Sequence, residues 1–255
     1  MSAVAPLDLF KLTGKVALIT GASGGLGEVF AHTLAAAGAD IVLVGRRIEP
    51  LEALAISLRE LYGRTITPYA ADVTDVAQID TMVATVGTVD ILINSAGINL
   101  RKPAVEYPID KWDELMKVNL SAPFYMARAF APQMLARGWG RIINISSMLG
   151  TVGLAERAPY TATKGGLIQL TRTLALEWAN RGVTVNALCP GPFATDMNIP
   201  IMNNPAAYQW FIERLPIGRW GDLKDLQGPI LFLSSDASAF MTGASMVVDG
   251  GWTAQ

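Results

Sequence analysis

The chain has 255 residues with 20 Lys and Arg, 22 Asp and Glu, one His and one Cys, and its formal net charge is −2. Hydrophobic residues make up 51% and charged residues 16%, which excludes an intrinsically disordered chain. The near-zero charge excludes the basic surface of a nucleic-acid-binding protein, and the single His and Cys exclude a His/Cys metal cluster and an intrachain disulfide.

The apolar runs do not predict a membrane protein. Segments such as 16–19, 41–44 and 230–233 are far shorter than the roughly 18 residues that a spanning helix needs. The first dozen residues include two acids and lack the apolar core of a signal peptide. We therefore expect a cytoplasmic protein with no membrane partner, no nucleic-acid partner and no metal.

Short segments rich in Val, Ile and Leu alternate with longer helical patterns along the chain. Continuous apolar strands of this kind are typical of a parallel sheet that is covered on both faces. The pattern predicts one α/β domain over 1–255, with a doubly wound, Rossmann-type parallel sheet of seven strands and helices on both faces. The predicted strands are 15–20, 40–44, 65–69, 89–94, 141–145, 183–188 and 245–249, and the predicted helices are 25–37, 48–62, 75–86, 110–137, 159–181 and 222–234.

Two prolines add constraints to this pattern. Pro68 lies in the third predicted strand and cannot donate to a sheet ladder, so this strand is expected at an edge. The third strand is also an edge strand in the 3-2-1-4-5-6 order of a dinucleotide-binding sheet. Pro229 lies inside the last predicted helix and predicts a kink or a split there.

A glycine-rich loop, Thr20-Gly21-Ala22-Ser23-Gly24-Gly25-Leu26-Gly27, joins the first predicted strand to a helix. Glycines allow close approach of the backbone to a phosphate, and the helix N-terminus offers free N–H groups. A flexible turn would have a similar composition, but the strand–loop–helix context favours a dinucleotide site. The predicted cofactor contacts in this loop are Gly21, Ser23, Gly25, Leu26 and Gly27.

The end of the second predicted strand bears on which dinucleotide is bound. It reads Val44-Gly45-Arg46-Arg47, with no acid until Glu49. An acid at this place would hold the ribose 2′-hydroxyl of NAD, whereas a guanidinium can bind a 2′-phosphate. We predict that Arg46 contacts NADP, with NAD as the second choice. The alternative is that both arginines are solvated charges at a helix start.

Polar or small residues also follow the later strands, where ligands bind in an open α/β sheet. Asp72-Val73 is a candidate for the adenine amino group, and Asp72 is equally a candidate cap for the next helix. The other segments at predicted strand ends are Asn94-Ser95-Ala96-Gly97, Asn144-Ile145-Ser146-Ser147 and Cys189-Pro190-Gly191-Pro192 with Thr195.

Tyr160 and Lys164 are four residues apart at the start of a helical pattern and therefore share a helix face. A neighbouring ammonium lowers the pKa of a phenol and makes it a better base. Pairs with this spacing are common by chance, but this one follows Ser147 by thirteen residues. Ser146 is the alternative serine.

With these motifs the chain resembles the short-chain dehydrogenase/reductase family along essentially its whole length. Ser95 is a departure, since the family commonly has a second Asn there. The matching segments are Thr20-Gly21-x-x-x-Gly25-x-Gly27, Asp72-Val73, Asn94-x-Ala96-Gly97, Asn119, Ser147, Tyr160-x-x-x-Lys164 and Pro190-Gly191.

The resemblance implies a role for each of these residues. Tyr160 would be the general acid/base, and Ser147 would hydrogen-bond the substrate oxygen. Lys164 would lower the pKa of Tyr160 and bind the nicotinamide ribose, while Asn119 would hold a water of a proton relay. Further cofactor contacts would come from Asp72, Val73, Asn94, Ala96, Gly97, Tyr160, Lys164, Pro190, Gly191 and Thr195.

The segment 192–220 is expected to cover the substrate, because it follows Pro190-Gly191 and is rich in apolar residues. The alternative is that its large side chains pack against neighbouring helices or subunits. Arg101 and Arg157 border the expected site and are candidate partners for an anionic group, although Arg101 could equally be a surface charge. The large apolar residues are Met197, Met202, Tyr208, Trp210, Phe211 and Trp220.

The segments 99–103, 218–221 and 248–252 resemble the sugar-acid branch of the family, which includes gluconate 5-dehydrogenases. With NADP(H) as the cofactor predicted from Arg46, this resemblance implies interconversion of a secondary alcohol and a ketone on a small molecule such as a sugar acid, with Arg101 as the carboxylate partner. The family resemblance implies a homotetramer built through 110–137 and 159–181. The alternatives are a 3-oxoacyl-carrier-protein reductase, an isomerase or epimerase that retains its cofactor, and a non-catalytic nucleotide-binding regulator.

Overall fold

The computed structural model describes residues 5–254, which contain one seven-stranded sheet in the order β3-β2-β1-β4-β5-β6-β7. Every neighbouring pair is parallel, which confirms the predicted fold class. The strand ends agree with the predictions within two residues. The strands are β1 (Val16–Thr20), β2 (Asp40–Gly45), β3 (Ile66–Ala70), β4 (Ile91–Asn94), β5 (Gly140–Ile145), β6 (Val183–Pro190) and β7 (Ser245–Val248).

Helices cover both faces of the sheet and form two apolar cores. Phe30 and Leu34 of the first helix pack on one face, and Phe130 and Leu174 pack on the other. None of the helices within residues 5–254 is long and apolar enough to cross a bilayer. The helices are α1 (Gly25–Ala36), α2 (Ile48–Tyr62), α3 (Val76–Val86), α4 (Ile109–Met116), α5 (Ala122–Arg137), α6 (Ala158–Trp178), α7 (Ile199–Met202), α8 (Pro205–Ile212) and α9 (Gln227–Ser234).

The two prolines behave as their chemistry requires. Pro68 lies in β3 at the edge of the sheet, as predicted. Pro229 is the third residue of α9 and lies in its first turn, where backbone N–H groups have no acceptor within the helix. The predicted helix 222–234 is therefore split into a 3₁₀ turn, Leu223–Leu226, followed by α9.

The predicted helix 110–137 is interrupted by a π-helical segment, Lys117–Ser121, between α4 and α5. In this segment the Ala122 N–H donates to the Lys117 carbonyl, one residue beyond the α-helical partner. Pro123 accounts for the disruption, because it has no N–H for the Asn119 carbonyl four residues earlier. Pro123 thus removes the α-helical donor of the carbonyl of Asn119, a candidate site residue.

Candidate active site

A cleft of about 740 Å³ lies at the carboxyl edge of the sheet, where ligands bind in this architecture. Most of the predicted site residues line it. Asn94, Asn119, Arg101 and Arg157 are not among the lining residues. The predicted residues that line the cleft are Gly21, Ser23, Gly25, Leu26, Gly27, Arg46, Asp72, Val73, Ala96, Gly97, Ser147, Tyr160, Lys164, Pro190, Gly191 and Thr195.

The glycine loop at one end of the cleft has the close packing that its sequence predicts. A Cβ on Gly27 would lie 2.3 Å from the Gly21 carbonyl oxygen, and one on Gly21 would lie 2.8 Å from the Ala96 Cα. No side chain caps the N-terminus of α1, and the space over Gly24 and Gly25 is open. The first N–H groups of α1 therefore remain for a ligand, and this loop fits the phosphates of a dinucleotide.

Asp72 and Arg46 lie where the cleft meets the ends of β2 and β3. The Asp72 Oδ1 atom accepts a hydrogen bond from the Thr74 N–H at 2.8 Å. The N-cap of α3 is Asp75, whose Oδ1 accepts from the Ala77 N–H at 2.9 Å. The alternative role of Asp72 as a helix cap therefore fails. Arg46 is exposed and lines the cleft.

Asn94 is buried at the end of β4 and joins secondary-structure elements. Its Nδ2 donates to the Asn144 Oδ1 at 2.8 Å, and the Asn144 Nδ2 donates in turn to the Thr171 Oγ1 at 2.9 Å. These bonds link β4, β5 and α6 beneath the cleft. The structure places the neighbouring Ser95, Ala96 and Gly97 along the cleft instead.

Asn119 is fully buried and holds the loop that follows β4. Its Oδ1 accepts from the Ile98 N–H at 2.9 Å, and its Nδ2 donates to the Ile98 carbonyl at 2.9 Å. A Cβ on Gly97 would lie 3.4 Å from the Asn119 Oδ1 and 3.7 Å from the Lys164 Nζ. Asn119 and Lys164 therefore approach the same point of this loop.

Ser147, Tyr160 and Lys164 converge in the centre of the cleft. The Tyr160 hydroxyl is hydrogen-bonded to Ser147, and the Lys164 Nζ lies 5.5 Å from the centre of the Tyr160 ring. The Ser147 Oγ accepts from the Leu149 N–H at 3.1 Å, which leaves its proton available to donate. The Ser146 hydroxyl instead donates to the Lys164 carbonyl at 2.9 Å, so Ser146 serves the packing of α6.

Burial is the largest cause of the pKa shifts of Tyr160 and Lys164. Burial raises the pKa of Tyr160, while the hydrogen bond to Ser147 and the charges of two nearby arginines oppose that rise. The Lys164 Nζ donates to the Ile145 carbonyl at 2.7 Å, and burial lowers the pKa of Lys164 to about 8. A bound oxidised nicotinamide would add a positive charge that favours the phenolate of Tyr160.

Those two arginines, Arg101 and Arg157, are near enough to Tyr160 for their charges to lower its pKa. Arg157 is only 8% exposed, and its Nη1 donates to the Glu156 carbonyl at 3.2 Å. Burial and, to a smaller extent, the charge of Arg101 lower the pKa of Arg157 to about 10, with Glu156 and Tyr160 in opposition. Burial also lowers the pKa of Arg101. Neither arginine belongs to an ion pair in the part of the chain that the structure describes.

The segment 192–220 contributes to the cleft mainly through its first residues. Phe193, Thr195, Met197 and Asn198 line the cleft. The later aromatic residues pack into a cluster of their own, in which Phe211 and Trp220 are buried and contact one another and Trp252. For Phe211 and Trp220, the structure therefore agrees with the alternative expectation that the large side chains of this segment pack against neighbouring elements.

The family model for short chain dehydrogenases matches residues 15–206. The chain belongs to the short-chain dehydrogenase family. It is 42% identical to the gluconate 5-dehydrogenase of Gluconobacter oxydans over 250 residues, which cover 96% of this chain and 97% of the relative. It is also 42% identical to the 2-dehydro-3-deoxy-D-gluconate 5-dehydrogenase of Dickeya dadantii over 254 residues, 98% of this chain and 99% of the relative.

A solved structure of a gluconate 5-dehydrogenase from Burkholderia cenocepacia, in complex with NADP and tartrate, has the same fold. Its TM-score is 0.95 at 41% identity, with 98% of this chain and 100% of that chain covered. The sugar-acid branch of the short-chain dehydrogenases, expected from the sequence, is confirmed by these relatives.

Sequence reasoning missed two features of this short-chain dehydrogenase. The π-helical segment around Asn119 had a signal, since a proline follows Asn119 by four residues. The contact of Asn198 with Arg101 had none, because the two residues are 97 positions apart in the chain.

The buried Lys164 generates a prediction about stability and pH. Its pKa is about 8 in the folded chain against an ordinary 10.5, so the unfolded chain binds more protons between these values. The free energy of unfolding therefore gains up to about 3 kcal/mol as the pH rises through this window. Urea unfolding of the cofactor-free protein at several pH values should show this gain in the wild type and not in Lys164→Met.

The exposed Lys102 provides a matched control, because Lys102→Met also removes one lysine charge. This control variant should retain the wild-type rise between about pH 8 and about pH 10.5. Equal slopes for Lys164→Met and the wild type would contradict the lowered pKa of Lys164.

Proposed function

We propose that the protein is an NADP(H)-dependent dehydrogenase that interconverts a secondary alcohol and a ketone on a sugar acid. The observation that carries this proposal is a pair of arginines, Arg101 and Arg157, whose charges lower the pKa of Tyr160 and which belong to no ion pair among the described residues. Guanidinium groups bind carboxylates through charge-assisted hydrogen bonds. Tyr160 and Ser147 would then act on a hydroxyl or carbonyl of the same molecule.

In this proposal Tyr160 is the general acid/base. Its phenol exchanges a proton with the substrate oxygen, and Ser147, whose oxygen already accepts from Leu149, donates a hydrogen bond to that oxygen. Lys164 supplies the positive charge that favours the phenolate. These roles use the three side chains that meet at the centre of the cleft.

Proton exchange with solvent would pass from Tyr160 by way of Lys164 and a water near Asn119. Pro123 follows Asn119 by four residues and has no N–H, so the Asn119 carbonyl lacks its α-helical donor, and we assign this carbonyl as the acceptor for that water. The Asn119 side chain is fixed by two bonds to Ile98, so the backbone carbonyl is the group left to hold it. The π segment would then contribute the backbone acceptor for the relay water.

The cleft fits NADP along its length. The loop at Gly21 and Gly27 and the first turn of α1 would hold the phosphates, Arg46 would pair with the 2′-phosphate, and Lys164 would bind the nicotinamide ribose. When bound, the cofactor accepts or donates the hydride. The Burkholderia relative of known structure binds NADP, which supports this choice over NAD.

We infer the substrate class from Arg101 and Arg157 and from the substrates named for the two relatives. The two curated relatives named above act on gluconate and on a 2-dehydro-3-deoxygluconate, which both carry a carboxylate on a chain of hydroxylated carbons. We assign the carboxylate to Arg101 and Arg157, and the reacting carbon to the position next to Tyr160. Segment 192–220 of the single domain would cover this substrate through Met197 and Asn198, which line the cleft.

The proposal includes a cytoplasmic homotetramer. Large apolar side chains are exposed on the helices and near the carboxyl end of the chain. Phe124 of α5 is 40% exposed and Leu176 of α6 is 85% exposed, and Phe240 before β7 is fully exposed. Burying such side chains between subunits would release free energy, which supports interfaces at these places.

Tyr160→Phe tests the role of the phenol. Loss of its hydroxyl should lower kcat by at least about 100-fold, because no other group replaces the proton exchange. NADP affinity, measured by fluorescence titration, should stay close to that of the wild type. Tyr62→Phe is the matched control, since its hydroxyl lies at the His32 Nδ1 and away from the cleft. Near-normal turnover by Tyr160→Phe would remove this residue from the mechanism.

Arg157→Met tests the substrate assignment. D-Gluconate is compared with D-glucitol, in which a hydroxymethyl group replaces the carboxylate. The variant should lose about 10- to 100-fold in kcat/KM for D-gluconate, the value of a hydrogen bond between charged groups. Its kcat/KM for D-glucitol should change by less than about threefold.

The matched control for this experiment is Arg181→Met, at an exposed arginine beside the opposite, amino-terminal end of β6. It should leave both substrates unaffected. A wild-type enzyme that does not prefer D-gluconate to D-glucitol would overturn the proposed substrate class. Equal losses for both substrates in Arg157→Met would overturn the role of Arg157.

A further inference from the structure

Arg101 connects the loop after β4 to the segment after β6. It lies in the loop after β4, and its Nη2 donates to the Met197 carbonyl at 2.9 Å and to the Asn198 Oδ1 at 2.8 Å. Met197 and Asn198 belong to the segment after β6 and both line the cleft. The position of the guanidinium is therefore set by the segment opposite its own loop.

The acceptors that hold Arg101 are uncharged. One is a backbone carbonyl and the other is an amide oxygen, and its Nε is buried with no acceptor in the described chain. Other arginines of this chain pair with carboxylates, as Arg219 does with Asp225 at 2.7 Å and Arg141 with Asp236 at 2.9 Å. Neutral acceptors fix Arg101 in place without reducing its charge.

The orientation of the Asn198 amide is set from both ends. Its Oδ1 accepts from Arg101, while its Nδ2 donates to the Phe193 carbonyl at 2.9 Å. An aspartate has nearly the same shape but carries a negative charge and cannot make the second bond. The choice of an amide over a carboxylate at this position therefore decides whether Arg101 keeps a free positive charge.

We propose that Asn198 is the positioning residue that makes this cleft selective for anionic substrates: it anchors Arg101 with a neutral oxygen and leaves the guanidinium charge for the substrate carboxylate. This inference rests on the proposed function and extends it to a residue outside the catalytic trio. Asn198 belongs to the covering segment 192–220, whereas Arg101 lies in the loop after β4. The charge that Arg101 offers to a substrate therefore depends on a contact between these two segments.

Asn198→Asp is the direct test, with steady-state kinetics on D-gluconate and D-glucitol. The new carboxylate would pair with Arg101, so KM for D-gluconate should rise by about tenfold or more. The kcat for D-gluconate and the KM for D-glucitol should each stay within about twofold. Asn198→Ala removes the anchor without neutralising the charge and should raise KM for D-gluconate less than Asn198→Asp does.

Asn204→Asp is the matched control. Asn204 is exposed on the same segment and caps α8 by accepting from the Ala207 N–H at 3.1 Å, a role that aspartate also fills. It adds the same charge without touching Arg101 and should leave KM for D-gluconate unchanged. Equal rises in KM for both substrates in Asn198→Asp, or no rise for D-gluconate, would overturn the inference.

Tartrate binding separates this inference from the proposed function. Calorimetric titration of the NADP-loaded protein with tartrate should give a dissociation constant at least about tenfold weaker for Asn198→Asp than for the wild type. Failure of the wild type to oxidise D-gluconate would overturn the proposed function while this difference still stands. Equal tartrate affinity in the two proteins, or no tartrate binding by the wild type, would overturn the inference itself.

Discussion

The parallel alignment of β4, β5 and β6 is the constraint on which the site depends. It brings the ends of three strands to one edge, and with them Gly97, Ser147 and Gly191. The hydrogen bond between Asn94 and Asn144, which are register partners, locks this alignment just below the cleft. Because the register places every strand end, a slip in one strand would disperse the catalytic groups.

The site concentrates positive charge that the protein itself does not neutralise. Lys164 is buried on a backbone carbonyl, and Arg101 and Arg157 are held by uncharged oxygens. Burying cations in this way costs free energy in the ligand-free protein, and such groups mark functional sites. In the proposed function each cation has a role, since Lys164 would favour the phenolate and the arginines would receive the carboxylate.

The sequence predicts those parts that depend on local chemistry. Continuous apolar segments predict every strand, Pro68 places β3 at an edge, and glycines between a strand and a helix predict the loop in which Gly21 and Gly27 have no room for a side chain. Long-range contacts could not be predicted in the same way. Asn198 meets Arg101 across 97 positions, and Phe211 and Trp220 are buried in a cluster against which Trp252 packs.

In the proposed function, an uncompensated pair of arginines fixes the carboxylate of a sugar acid while Tyr160 acts on its hydroxyl. A crystal structure of the protein with NADP and D-gluconate would show both contacts at once. We expect carboxylate oxygens within about 3.2 Å of the Arg101 or Arg157 guanidinium and one hydroxyl within hydrogen-bonding distance of Tyr160 and Ser147. A gluconate bound with its carboxylate away from both arginines would contradict it.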